Sequence, residues 1–144
     1  MDYTYEMFEH GINDIVEQID NDCHNDYDYI IGLTRGGLIP AVFLSHRLDV
    51  PMLALNWQTR DSNLREIPHN FKTLINNKKV LIVDDIIDSG ETFELLIKEI
   101  TGKCSHFEIA CLIFNEEQKI DCNYKHVTIR RSIDPSWVNF FWEE

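Results

Sequence analysis

Val80-Leu81-Ile82-Val83-Asp84-Asp85-Ile86-Ile87-Asp88-Ser89-Gly90-Glu91-Thr92 is the stretch that decides the fold. It opens as a short apolar run rich in β-branched residues, which reads as a strand buried on both faces. The run ends on two adjacent acids, and a third, Asp88, follows. Ser89-Gly90-Glu91-Thr92 then opens a segment with helical spacing: Phe93, Leu96, Ile97 and Ile100. The acids therefore sit at the carboxyl end of a strand, on a tight loop, at a helix N-terminus. Open α/β sheets bind their ligands there.

The loop has two chemical halves. Backbone N–H groups around Ser89, Gly90 and Thr92 point outward at a helix start and suit an anion, most simply a phosphate. Asp84 and Asp85 suit a pair of hydroxyls, or a divalent cation held partly through water. A phosphate next to a diol describes a ribose phosphate. The bland alternative is a loop whose acids only cap and solvate.

An apolar strand, two acids, two apolar residues and then Asp-Ser-Gly-x-Thr closely resembles the phosphoribosyl-diphosphate (PRPP) motif of type I phosphoribosyltransferases. The resemblance covers the whole motif. It implies that Asp84 and Asp85 bind the ribose hydroxyls, with Asp85 the candidate Mg²⁺ ligand. It implies that Ser89, Gly90, Glu91 and Thr92 cradle the 5-phosphate. Asp88 matches the proposed general base of the purine enzymes.

Working outward, Tyr29-Ile30-Ile31-Gly32-Leu33-Thr34 reads as an earlier strand, broken by Arg35-Gly36-Gly37-Leu38, with Pro40 in the first turn of a helix. This second strand–loop–helix unit resembles the diphosphate loop of the xanthine–guanine and hypoxanthine phosphoribosyltransferases. The resemblance implies that Thr34, Arg35 and Gly36 hold the diphosphate, Arg35 through paired N–H donors. It also implies a cis or otherwise strained Thr34–Arg35 peptide that turns amides toward the ligand. An ordinary surface arginine in a glycine turn is the plain alternative.

The remaining chain supplies a sheet around these units. Phe8, Ile12, Ile15, Val16 and Ile19, with Tyr5, give an amphipathic helix over about 4–20. Strands are expected at 51–57, 107–114 and 126–129, and Gly102 caps the helix that follows the motif. The polar stretch of about 58–77 is long for a compact domain, and such loops are usually functional; Phe71, Leu74 and Ile75 mark a short helix or strand at its end. The resemblance makes it a mobile hood that excludes water from the reacting sugar, with Arg60 and Arg65 as candidate diphosphate contacts. The expected fold is α/β: one domain over 1–144, a doubly wound, mostly parallel sheet with helices on both faces.

The tail, about 130–144, is aromatic-rich and alone reads as a packed or interface segment. Beside the family, Trp137-Val138 and Phe140 to Glu143 resemble the base-binding ending of the purine branch. That implies stacking by Trp137 and edge recognition by the Val138 backbone, with Trp142 in the core. One position departs from the branch. Its lysine, which donates to the purine 6-oxygen, falls here on Glu116, a group that only accepts. Asn115 and Lys119 are the candidate replacements, and a base with a donor at that edge is the alternative.

Composition bounds the partners. With 13 Lys plus Arg against 25 Asp plus Glu, the net charge is -12, which excludes a nucleic-acid footprint. The 44% hydrophobic content supports a folded core. Four cysteines without a CxxC pair exclude a disulfide or metal framework. No signal peptide or long apolar span is visible, so a soluble cytoplasmic protein with no membrane partner is expected. The resemblance adds PRPP and a nucleobase as substrates, Mg²⁺ as cofactor, and a homodimer or homotetramer. A non-catalytic PRPP or nucleotide sensor on the same fold is the alternative. A signalling receiver fails on order, because its acids should follow the first strand.

Overall fold

The computed structural model describes residues 1–22, 26–57 and 67–143. A five-stranded sheet is built from β2 (Tyr29–Leu33), β3 (Met52–Leu55), β4 (Lys79–Ile87), β5 (His106–Asn115) and β6 (Tyr124–Ile129). Its order is β3-β2-β4-β5-β6, and every pairing is parallel. The chain adds β3 on one side of β2 and β4 on the other. The order therefore reverses between β2 and β4, and a ligand crevice is expected above their carboxyl ends.

Alternation along the strands sets the two faces. Leu81, Val83, Ala110 and Leu112 pack on one side with Ile12, Ile15 and Ile19 of α1 (Tyr5–Asn21) and Ala41 and Leu44 of α2 (Leu38–Leu48). Val80, Ile82, Ile109 and Cys111 pack on the other with Phe71 and Ile75 of α3 (His69–Ile75) and Phe93, Leu96 and Ile100 of α4 (Glu91–Ile100). Period-2 side chains on strands meeting helical stripes give helices on both faces, as the sequence implies. Thr4 starts α1 by accepting the Met7 N–H at 3.2 Å. Tyr5, which shares the apolar spacing, is exposed.

Two features depart from the sequence reading, and the short helix or strand expected at Phe71 to Ile75 is a helix. β4 continues through both acids to Ile87, because β5 pairs with it up to Ile87–Phe114. The second half of the expected hood is helical, as α3, with Leu74 exposed; Arg60 and Arg65 lie outside the described residues. Two short strands, β1 (Asp2–Tyr3) and β7 (Asn139–Phe140), pair in parallel and tie the first residues to the aromatic tail. Two-residue strands have no periodicity to read. Among the described residues, no helix is long and apolar enough to cross a membrane.

Candidate active site

The two strand–loop–helix units meet where the topology predicts. Thr34, Arg35 and Gly36 from the end of β2 face Asp84, Asp85, Asp88, Ser89, Gly90 and Thr92 across a cleft of about 380 Å³. A second, adjoining cleft of about 710 Å³ shares Arg35, Gly36 and Asp85 and is closed by Ile39, Trp142 and Glu143. The Thr34–Arg35 peptide is cis. Arg35 is exposed, and its side chain makes no ion pair among the described residues.

Gly36 and Gly37 explain how closely the loops approach. A Cβ on Gly36 would lie 1.9 Å from Asp85 Oδ2, so that carboxylate leans directly against the diphosphate-type loop. A Cβ on Gly37 would lie 2.6 Å from the carbonyl oxygens of both Leu33 and Val83. Gly90 has φ 79, left-handed backbone that favours glycine, and stands at the N-cap of α4. α4 thus presents its free N–H groups toward the cleft. Glu91 is exposed on the first turn, outside the residues lining the cleft.

Asp84 and Asp85 form a partly buried carboxyl pair. Asp84 Oδ1 accepts the Asp85 N–H at 2.9 Å, and Asp85 Oδ1 accepts the Ile86 N–H at 2.7 Å. Burial first, and the adjacent Asp85 charge second, hold the Asp84 carboxyl well above its ordinary value of 3.8. Burial raises Asp85 as well, against the opposing hydrogen bonds from Asp84 and Ile86. A carboxyl raised on folding favours the folded state at pH below its ordinary value. That advantage is lost as pH rises through the raised value. Replacing Asp84 with Asn should therefore stabilise the ligand-free protein relative to wild type by an amount that grows as pH rises from the ordinary carboxylate range toward neutrality and beyond, since the buried group gives up its proton only well above its ordinary value. Calorimetric melting of both proteins across that range checks this, and a flat or shrinking difference would refute it.

The same pair is the candidate cation site. Among the described residues, no three His, Cys, Asp or Glu side chains cluster as a cage. Mg²⁺ rarely needs one, since one or two carboxylates with substrate oxygens and water complete its shell. The donors fit: each Oδ1 is committed to a backbone N–H, and Asp85 Oδ2 faces the Gly36 loop.

Asp88 is placed by Arg131, which the sequence reading did not single out, and by Asn115, which it singled out for another role. Arg131 grips its carboxylate in a fork, Nε at 3.0 and 3.2 Å and Nη2 at 3.0 Å. Arg131 Nη1 also donates to the Ser136 carbonyl. Asn115 Nδ2 donates to the Asp88 carbonyl at 3.0 Å. Trp57 lines the cleft and donates from Nε1 to the Thr92 carbonyl at 3.0 Å, tying the end of β3 to the start of α4. Arg131 could have been noticed as a cation inside the base-binding segment. Its pairing with Asp88 spans a sequence separation that no local pattern reports.

Trp137 is 75% exposed, whereas the Val138 side chain is buried in the core. Trp142 packs against Phe8 and Phe140, and its buried Nε1 has no hydrogen-bond partner among the described residues. Glu116 pairs with Arg130, and Glu117 accepts from the Ser132 N–H at 2.8 Å. These contacts clamp the β5–β6 connection onto the segment after β6.

Residues 4–144 match the phosphoribosyl transferase domain family. The xanthine-guanine phosphoribosyltransferase of Cereibacter sphaeroides is 34% identical over 73 residues, 46% of this chain and 44% of that protein. The orotate phosphoribosyltransferase of Bartonella quintana is 31% identical over 111 residues, 74% of this chain and 54% of that protein. The chain thus spans about half the length of the curated relatives it matches. The crystal structure of a purine phosphoribosyltransferase from Pyrococcus horikoshii is 29% identical, with a TM-score of 0.80 over 100% of this chain and 93% of that one. A family match that runs from the start of the first helix to the end of the aromatic tail, on this strand order, makes the chain a phosphoribosyltransferase-family protein of type I, resembling the xanthine–guanine and hypoxanthine branch.

Proposed function

We propose that the protein transfers 5-phosphoribosyl from PRPP to a 6-oxopurine base, guanine, hypoxanthine or xanthine, and releases diphosphate. The observation that carries this reading is the contact between the two loops: the Asp85 carboxylate lies against Gly36 while Asp88 faces the segment bearing Trp137.

In this reading the N–H groups at the start of α4 bind the 5-phosphate. Asp84 and Asp85 orient the ribose hydroxyls, and Thr34, Arg35 and Gly36 hold the diphosphate. Asp84 and Asp85 would also hold Mg²⁺, which when bound neutralises charge on the diphosphate. The sugar passes through an oxocarbenium-like transition state, as in glycoside chemistry. Asp88 accepts the proton from N7 of the base, on the edge that carries the 6-oxygen, as N9 attacks. The exposed Trp137 ring offers a stacking face for a flat base.

A base panel tests this: PRPP and Mg²⁺ with each natural purine, orotate and uracil, nucleotide formation followed by mass. Nucleotide from hypoxanthine or guanine is the expected result. Orotate as the sole acceptor would move the site to the pyrimidine relatives. No nucleotide from any base despite tight PRPP binding would favour a sensor. A homo-oligomer belongs to the same reading, and a monomer by light scattering at micromolar concentration would count against it.

A further inference from the structure

We infer that Arg131 is the specificity-determining residue that reads the 6-oxygen of the base, a role for which the end of β5 has no available donor. This rests on the purine reading above.

Asn115 Nδ2 already reaches Asp88 twice, its carbonyl at 3.0 Å and Oδ1 at 3.5 Å. Glu116 is held by Arg130 and Glu117 by Ser132, so both acids are turned into the clamp. Lys119 is exposed on the β5–β6 connection, and no hydrogen bond or ion pair among the described residues orders its ammonium toward a base, whereas the Arg131 guanidinium is held in place.

Arg131 is different. A guanidinium carries five N–H donors. Here one on Nε and one on Nη2 go to Asp88, and one on Nη1 goes to Ser136. One donor remains on Nη1 and one on Nη2, with no rearrangement of the fork. The guanidinium lies between Asp88, whose side chain is 46% exposed, and the residue preceding Trp137. At 24% exposure it is half-withdrawn from water but still reachable.

Placed this way, Asp88 and Arg131 present an acceptor and a donor side by side. A purine that offers Asp88 its N7–H presents the neighbouring substituent on C6 to Arg131. An oxygen there accepts from Arg131, whereas an amino group opposes its N–H donors. The pair therefore selects a 6-oxopurine over adenine, and does so from the segment after β6.

The test compares wild type, Arg131→Gln and Arg131→Lys with hypoxanthine, adenine and purine itself, which lacks the 6-oxygen. Loss of a charged hydrogen bond corresponds to about 10–100-fold in kcat/KM. Wild type should favour hypoxanthine over purine by about that factor. Arg131→Gln should collapse the preference, mainly through KM for the base, with KM for PRPP nearly unchanged. Arg131→Lys should restore part of it. A merely structural strut would lower all three bases together and leave the ratio intact, which overturns the assignment. A wild-type preference for purine or adenine does the same without any variant. Wild type that makes no nucleotide from any base removes the transfer reading itself, and this assignment with it.

Discussion

Asp88→Asn should lower turnover by about 10²–10⁴-fold, the usual contribution of a positioned proton acceptor, while PRPP binding changes much less. The asymmetry follows from where Asp88 sits. Its carboxylate points to Arg131 and the Ser136 segment, whereas Asp84 and Asp85 face the Gly36 loop. Asn keeps the shape and can still accept from Arg131, but it cannot take a proton from the base. It also leaves the Arg131 charge uncompensated, so a small loss of base affinity should accompany the fall in turnover. Rapid-quench kinetics with PRPP binding by calorimetry separates the two effects. Unchanged turnover would remove Asp88 from the chemistry.

Alanine at the two adjacent glycines should separate function from stability. At Gly36 the new methyl meets a side chain, Asp85 Oδ2 at 1.9 Å and Cγ at 2.5 Å. The carboxylate can swing away, so the fold survives, but it loses its place beside the loop and its bond to the Ile86 N–H. PRPP binding should weaken by about 10²-fold, the scale of one misplaced charged contact, with the melting temperature nearly unchanged. At Gly37 the methyl meets only backbone, the Leu33 and Val83 carbonyls at 2.6 Å and the Asp84 Cα at 3.0 Å. Neither strand can move without disturbing the sheet centre. Overpacking of this kind costs about 1–3 kcal/mol, a fall of roughly 3–10 °C for a domain of this size. Melting curves and PRPP titrations of both variants check this. Equal effects of the two on both measurements would refute the distinction.

The sequence made the site's sugar-phosphate half legible because its chemistry is local. Asp84 to Thr92 and Thr34 to Gly36 are each contiguous, and strand-end placement brings them together. The alternating apolar runs of β4 and β5 carried the fold in the same way. The half of the cleft around Asp88, proposed to bind the base, was less legible because it is assembled across the chain. Arg131 reaches Asp88 from beyond β6, Asn115 reaches it from β5, and Trp57 arrives from β3. The clamp between Glu116 and Arg130 is also set by folding, so the glutamate at the lysine position reads as an anomaly until its partner is seen. β1 and β7 were invisible because their length gives pattern no purchase.

The parallel pairing of β2 with β4 joins Tyr29 to Val80. Parallel neighbours cannot close as a hairpin. The whole excursion through α2, β3 and α3 must return before this pair forms, which places refolding toward the slow side for small α/β domains. A chain with β4, β5 and β6 assembled but β2 undocked carries Asp84 to Thr92 without Thr34 to Gly36. A sugar diphosphate that needs both loops therefore stabilises only the completed sheet. Its expected effect is on lifetime more than on the speed of assembly: occupancy holds the β2–β4 pair shut and slows unfolding. Protease survival of the protein should accordingly rise with the concentration of added PRPP.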